Sequence, residues 1–254
     1  MSTAPLPTVP PTVGGLRDLT VHVREPDTAA TVAFRTVADG TGELFVLGPR
    51  TRASYLTPKN VPHCVTLRLS PGRARPLLGL PMSELVDRIV PLRELWGAQA
   101  DLLAGELTEL VASSGPGVWR ERVAGRMQAA LSRRLAERRP AELARGQLLD
   151  TAAALLSRES ERVTDVAREL GVSERHLRNL FSAGVGVSPK RFARIHRVRG
   201  VLARVCREGS ASLAADTGYY DQSHMTAEFH EVMGVPPNAF RSGRLPAPGS
   251  CSAA

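Results

Sequence analysis

Arg175, Arg178 and Asn179 stand at i, i+3 and i+4, the spacing that sets side chains on one side of a helix. Their chemistry is shared: an Arg guanidinium forks onto the edge of guanine, and an Asn amide pairs with adenine. From Arg175 to Arg207 the chain carries nine basic residues (Arg175, Arg178, Lys190, Arg191, Arg194, Arg197, Arg199, Arg204 and Arg207) and no Asp or Glu. A solvated helix face normally intersperses both signs, so this run predicts a surface turned to phosphate. The net charge of +8 agrees with an acidic partner, either nucleic acid or an anionic surface.

Side chains of this kind need a rigid element behind them. Ser173 is a good N-cap, Leu177, Leu180 and Phe181 make the buried side of the helix it opens, and Glu174, Arg175, Arg178, Asn179 and Ser182 face away. Upstream, Thr164 caps a short helix whose buried side is Val166, Ala167 and Leu170, and Gly171 falls where the chain must turn sharply. Two short helices joined by a tight Gly-containing turn make a helix-turn-helix. Ser188-Pro189 then starts a third helix, with Phe192, Ile195, Val198, Leu202 and Val205 inside. At about 18 residues, or about 27 Å, that helix can hold two modules roughly one DNA turn apart.

A second module is indeed repeated. His176, Leu177, Phe181, Gly186, Val187, Pro189 and Phe192 return 48 residues later as His224, Met225, Phe229, Gly234, Val235, Pro237 and Phe240. Val166, Ala167 and Gly171 return as Leu213, Ala214 and Gly218 at a spacing one residue shorter. Two copies are too few for a solenoid and predict one supersecondary unit used twice. In the second copy Ser223, Thr226 and Ala227 stand where the first has Arg175, Arg178 and Asn179, so its reading face is less basic and less base-selective.

Ahead of these modules the pattern is β-like, with runs at 19–23, 31–37, 43–48, 52–56 and 65–69 separated by turn residues such as Asp39-Gly40-Thr41-Gly42 and Ser70-Pro71-Gly72. After Gly79 the period becomes helical. Leu92, Leu95, Trp96, Leu103, Leu107, Leu110 and Val111 form one stripe, and Val123, Met127, Ala130, Leu131 and Leu135 form another. This helical hairpin has two readings, a dimer seam or a cap on the core of the β module. The expected fold class is α+β: residues 1–16 a disordered tail, 17–139 a β-rich regulatory domain with the hairpin, 140–241 an all-α domain with helix-turn-helix units at about 164–183 and 212–233, and 242–254 a second disordered tail.

Other chemistries find little support. Cys64, Cys206 and Cys251 are odd in number and lack CxxC spacing, which argues against a disulfide framework or a zinc site. Ser, His and Asp residues are too dispersed for a catalytic triad, and no Gly-rich phosphate loop with Lys is present, so no enzyme and no cofactor is expected. Pro62-His63-Cys64-Val65 leaves two alternatives centred on Cys64, an alkyl acceptor and a metal or redox sensor with His63 and His22. With neither a signal peptide nor a membrane-length apolar run, the expected location is the cytoplasm, in association with the nucleoid.

The region from about Asp150 to Arg241 resembles the DNA-binding domain of the AraC/XylS family of transcriptional regulators. The second copy carries most of the resemblance: Leu213-Ala214, Gly218-Tyr219, Asp221-Gln222-Ser223-His224-Met225, Phe229, Gly234-Val235, Pro237 and Phe240-Arg241. It implies two helix-turn-helix units that set their second helices in successive major grooves of one promoter or operator site. Base reading is carried over to Arg175, Arg178, Asn179, Ser223 and His224, and phosphate contact to Ser173, His176, Lys190, Arg191, Arg194, Arg197, Gln222 and Thr226. Ala227 and His230 depart from the family, which usually has Arg and Lys or Arg there, so DNA binding is expected to lean on the first module. Glu25-Pro26-Asp27, Leu67-Arg68-Leu69-Ser70-Pro71-Gly72 and Leu95-Trp96-Gly97 resemble a small N-terminal domain found in one subset of these regulators. The partners implied are double-stranded DNA, a small-molecule effector, a second copy of the chain and, for an activator, RNA polymerase.

Overall fold

The computed structural model describes residues 21–58, 61–115, 117–158, 161–207, 213–214 and 216–249. Its N-terminal half is built on four antiparallel strands in the order β5-β2-β3-β6, where β2 is Thr31–Thr36, β3 Gly42–Leu47, β5 Cys64–Arg68 and β6 Ile89–Pro91. The register follows from the apolar residues at alternate positions. Val32 pairs with Val46 and Leu67, and Phe34 pairs with Leu44 and Val65, so all six enter one core. β1 (His22–Arg24) and β4 (Ser54–Leu56) form a separate two-stranded ribbon.

Helices α3 (Ala98–Ser113) and α4 (Val118–Ala136) make the hairpin. Leu103, Leu107, Val123, Met127, Ala130 and Leu131 share the core of the sheet residues, so the hairpin caps the sheet. The stripe read as a dimer seam is therefore already covered. Two elements differ from the sequence reading. Ser70-Pro71-Gly72, expected to be a turn, opens helix α1 (Pro71–Leu78), because Pro71 occupies the first turn and the Gly72 N–H finds an acceptor in Asp150, 78 residues away. β6 is only three residues long and contains a proline, which an edge strand tolerates and which hides it from pattern reading. A short helix α2 (Arg93–Trp96) precedes the hairpin, and the Trp96 indole N–H donates to the Leu77 carbonyl at 3.1 Å, fixing α1 to it.

The C-terminal half is helical: α5 (Pro140–Leu156), α6 (Val163–Glu169), α7 (Glu174–Gly184), α8 (Pro189–Arg204), α9 (Gln222–Met233) and α10 (Pro237–Arg241). Gly171 and Gly218 adopt φ of +64° and +72°, the left-handed turn that each copy of the repeat requires. Two small cores result. Leu149, Leu156, Val166, Leu177 and Phe181 centre the first, while Leu213, Met225, Phe229 and Phe240 centre the second. α8 joins them by giving Phe192 to the first core and Val198, Val201 and Leu202 to the second, which Val205 at its C-cap also enters.

Residues 242–249 depart from the expected disordered tail. Leu245 packs on the second core, and the Gly249 N–H donates to the Tyr55 carbonyl at 2.9 Å, so apolar contact and a backbone hydrogen bond draw this segment onto β4. The expected tail at 1–16 and residues 250–254 lie outside the described residues.

Candidate nucleic-acid interface

On α7 the Ser173 hydroxyl accepts the His176 N–H at 3.1 Å and starts the helix cleanly. With Leu177, Leu180, Phe181 and Gly184 buried beneath, Arg175, Arg178, Asn179 and Ser182 are exposed. Arg178 rests on Glu174 at 2.9 Å, an exposed pair one helical turn apart. Arg175 meets no carboxylate among the described residues. α8 begins in the same way, with Ser188 Oγ accepting the Arg191 N–H at 3.3 Å, and leaves Lys190 and Arg191 exposed.

Further along α8 the chemistry changes. Arg194 reaches Glu228 at 3.2 Å and Glu231 at 2.8 Å, and Arg197 donates to both oxygens of Glu228 at 3.2 and 3.1 Å. The Arg197 guanidinium also lies 5.5 Å from the Tyr219 ring centre. Glu228 is 8% exposed, and a carboxylate so buried persists only if it is paired. Arg204 bonds Asp216 at 2.8 Å, and Arg199 bonds Asp27 at 3.2 Å. Five of the nine cations in the acid-free run thus meet carboxylates, four of them from sequence-distant segments. Arg194 and Arg197, expected to face phosphate, instead bind α9 to α8.

On α9 the Asp221 carboxylate caps the His224 N–H at 2.7 Å. Gln222, Ser223, Thr226, Ala227 and His230 line an open hollow on its outer side. The His224 imidazole turns toward Glu228 at 3.5 Å and stands edge-on to Tyr219 at 5.3 Å, so it serves the joint with α8 as well as the surface. Sequence reasoning passed over Tyr220, which is 94% exposed immediately before the α9 cap. An aromatic side chain left bare beside α9 is a candidate contact, and its signal was the adjacent Tyr219-Tyr220 pair inside the repeat.

The N-terminal half touches both modules. Gly72 on α1 and Gly146 on α5 cross so closely that a Cβ on either would come within 2.1 to 2.4 Å of the other's carbonyl oxygen. Asp150 on α5 accepts from Gly72 N at 2.8 Å and from Ser70 Oγ at 3.2 Å. At the middle of α8, His196 hydrogen-bonds Thr28 at 3.3 Å and packs on Phe192 at 4.3 Å between ring centres, while Arg199 donates to the Pro26 carbonyl at 3.0 Å. Burial, then the positive charges of Arg199 and Arg68, push the His196 pKa down to about 4. Burial alone would raise the Asp27 carboxyl, but hydrogen bonds from Arg68 and the charges of Arg199 and Arg68 bring it to about 2. At the far end, the Tyr55 hydroxyl donates to the Met233 carbonyl at 2.6 Å and the Ala53 N–H to the Val232 carbonyl at 2.9 Å, both at the C-terminus of α9.

At Cys64 burial outweighs the charges of Arg35, Arg120 and Arg24, which favour a thiolate. Burial pushes its thiol pKa up, away from a reactive thiolate, and His63 is committed to Thr36 at 3.0 Å and to the Trp119 ring at 4.7 Å. Among the described residues no group of three or more His, Cys, Asp or Glu could hold a metal ion, so the two Cys64 alternatives gain no geometry. No described helix is long and apolar enough to cross a membrane.

Residues 166–243 match a family model described as a helix-turn-helix domain. Over 97 residues the chain is 35% identical to a Streptomyces lividans protein named as an AraC-like transcription regulator, a match covering 36% of this chain and about a third (32%) of that relative. Among solved structures, the C-terminal domain of AraT, a response regulator from Geobacillus stearothermophilus, is 21% identical with a TM-score of 0.36, over 41% of this chain and 87% of its own. ToxT from Vibrio cholerae is 10% identical with a TM-score of 0.43, over 87% of this chain and 96% of its own.

Proposed function

We propose that this protein, whose residues 166–243 match a helix-turn-helix family model, is an AraC-type, sequence-specific DNA-binding transcriptional regulator that enters two successive major grooves with α7 and α9. The observation that carries the reading is the outer side of α7. Arg175, Arg178 and Asn179 are exposed together on a capped helix whose opposite side is locked in a core, the arrangement that direct base readout demands. Lys190 and Arg191, exposed at the start of α8, together with the Ser173 hydroxyl, are suited to phosphates flanking that groove.

α9 takes the lesser part, with Gln222, Ser223 and Thr226 contacting backbone or base edges and His224 shared with Glu228. The loss of basic residues at Ala227 and His230 makes its contribution more one of register than of sequence. The N-terminal half modulates this activity, a reading supported by its hydrogen bonds to α5, α8 and the end of α9. The protein acts by binding and not by catalysis, in the cytoplasm.

Selection from a randomised duplex pool across a salt series tests the reading. Enrichment of a bipartite site, with stronger base preference in one half, is expected at moderate salt. A pool that stays random while total binding falls with salt would show a non-specific polycation and end the proposal.

A further inference from the structure

A cleft of about 490 Å³ opens between α1, α5 and α7, within the size range of small-molecule sites. Its floor is apolar, with Leu149, Leu180 and Pro76, and the crossing of Gly72 and Gly146 brings its walls together. Its rim is cationic. Arg75 comes from the N-terminal half, Arg138 from the segment after α4, and Arg145 from α5. None of the three meets a carboxylate among the described residues, in contrast to Arg194, Arg197, Arg199 and Arg204 of α8. The cleft's lining contains one acid, Glu142. The nearby Asp150 is spent on Gly72 N and Ser70 Oγ.

Arg138 supplies the sharper observation. Its Nε is shielded from solvent and has no hydrogen-bond partner. Because Nε is shielded even from water, a ligand oxygen would meet the terminal N–H groups of this guanidinium, which have no partner among the described residues. Three guanidiniums against one carboxylate leave a surplus of two positive charges, and the planar guanidinium fork matches the oxygens of a phosphate-like group. We propose that this cleft binds a small organic dianion, a compact apolar body bearing a phosphate-type head, with the head on Arg138 and Arg145 and the body on Leu149 and Leu180. His176 and Asn179 form the wall contributed by α7, so the occupant touches the helix that carries Arg175 and Arg178 and meets Asn179, which stands on the same side as those two arginines. Any coupling to DNA rests on the function proposed above; the binding itself does not.

The test uses the full chain without DNA. Calorimetric titration with phenylphosphonate, inorganic phosphate and benzylamine separates charge from apolar contact. Phenylphosphonate is expected to bind at least about 10-fold more tightly than inorganic phosphate, because its ring buries apolar surface. Benzylamine is expected not to bind. Arg138→Gln and Arg145→Gln should each weaken phenylphosphonate about 10-fold while the unfolding midpoint stays at the wild-type value. In NMR titration the His176 imidazole signal, identified by its loss in His176→Gln, should shift with the same affinity. No binding of phenylphosphonate, equal binding of benzylamine, or wild-type affinity in the double arginine variant overturns the proposal. So does a double variant that loses affinity for random-sequence DNA but not for the phosphonate, which would make the arginines a backbone-contacting rim. Failure of the DNA selection leaves these titrations untouched, so the two readings fail separately.

Discussion

Arg178 and Arg197 carry the same guanidinium and each meets a glutamate, yet their surroundings give them opposite roles. The Arg178–Glu174 pair is exposed, with side chains 64% and 41% accessible, and such pairs contribute about 0.5 kcal/mol. A bidentate contact to guanine offers about 1–3 kcal/mol, so in the proposed function DNA would take Arg178 from Glu174. Around Glu228, whose side chain is 10% accessible, the balance reverses. Removing one partner there leaves a buried charge, at a cost of about 3–5 kcal/mol. Three variants separate the roles. Arg178→Ala should relax preference at particular bases by about 1–3 kcal/mol, and Arg191→Ala should weaken all sequences alike and lower the salt slope by about 1. Arg194→Ala should lower the unfolding temperature and leave the salt slope as in wild type. Salt-dependent binding isotherms with thermal melts decide among them, and a reduced slope in Arg194→Ala would return that residue to the phosphate-facing surface.

At the scale of elements, the crossing of α1 and α5 ties the two halves together. Helices this close admit no Cβ: on Gly146 it would lie 2.4 Å from the Gly72 carbonyl oxygen. Backbone cannot yield as a flexible side chain would, so Gly146→Ala should push α1 away from α5 and cost about 1–3 kcal/mol. The displaced α1 would also lose the Asp150 acceptor at Gly72 N. The expected readout is a lower unfolding midpoint with faster proteolysis around residues 70–80, whereas Ala at Gly125, where a Cβ meets nothing within 4 Å, serves as the control and should be neutral or stabilising. Equal melting of both variants would mean that the crossing is not a close contact in solution. Neither half of this joint stands out in the chain: a glycine inside α5 looks like a weakness in a helix until its partner is seen.

The molecule as a whole has a pH dependence concentrated where its halves meet. His196 faces Thr28, Phe192, Arg199, Arg68 and Asp27, and its pKa is lowered from 6.5 to about 4. Below pH 6.5 the unfolded chain takes up this proton and the folded one does not, so stability falls with pH across 6.5 to 4, by up to roughly 3 kcal/mol. Asp27 titrates lower. Its stabilisation, present above its ordinary pKa of 3.8, is lost as pH falls toward about 2. The two windows do not overlap, so His196→Gln should lessen the decline between pH 6.5 and 4, leaving the part due to His22, whose pKa burial also lowers, and the loss below pH 4. Chemical denaturation at stepped pH measures this, and parallel curves for variant and wild type would remove His196 as the cause.

Local pattern alone determined much. The caps Ser173 and Ser188, the turn glycines Gly171 and Gly218 and the apolar sides of α7, α8 and α9 were legible because helix signals act within a few residues, whereas Thr164, read as a cap, lies inside α6, which is capped at Arg162. The exposed trio Arg175, Arg178 and Asn179 followed from the same period. Tertiary structure decided which cations remain available. The run from Arg175 to Arg207 contains no acid, but Glu228, Glu231, Asp216 and Asp27 arrive from elsewhere in the chain and engage its arginines. Charge acts through space over a few ångströms, and only the folded chain sets those distances. For the same reason Arg75, Arg138 and Arg145, scattered across seventy residues of sequence, become one cationic rim beside α7.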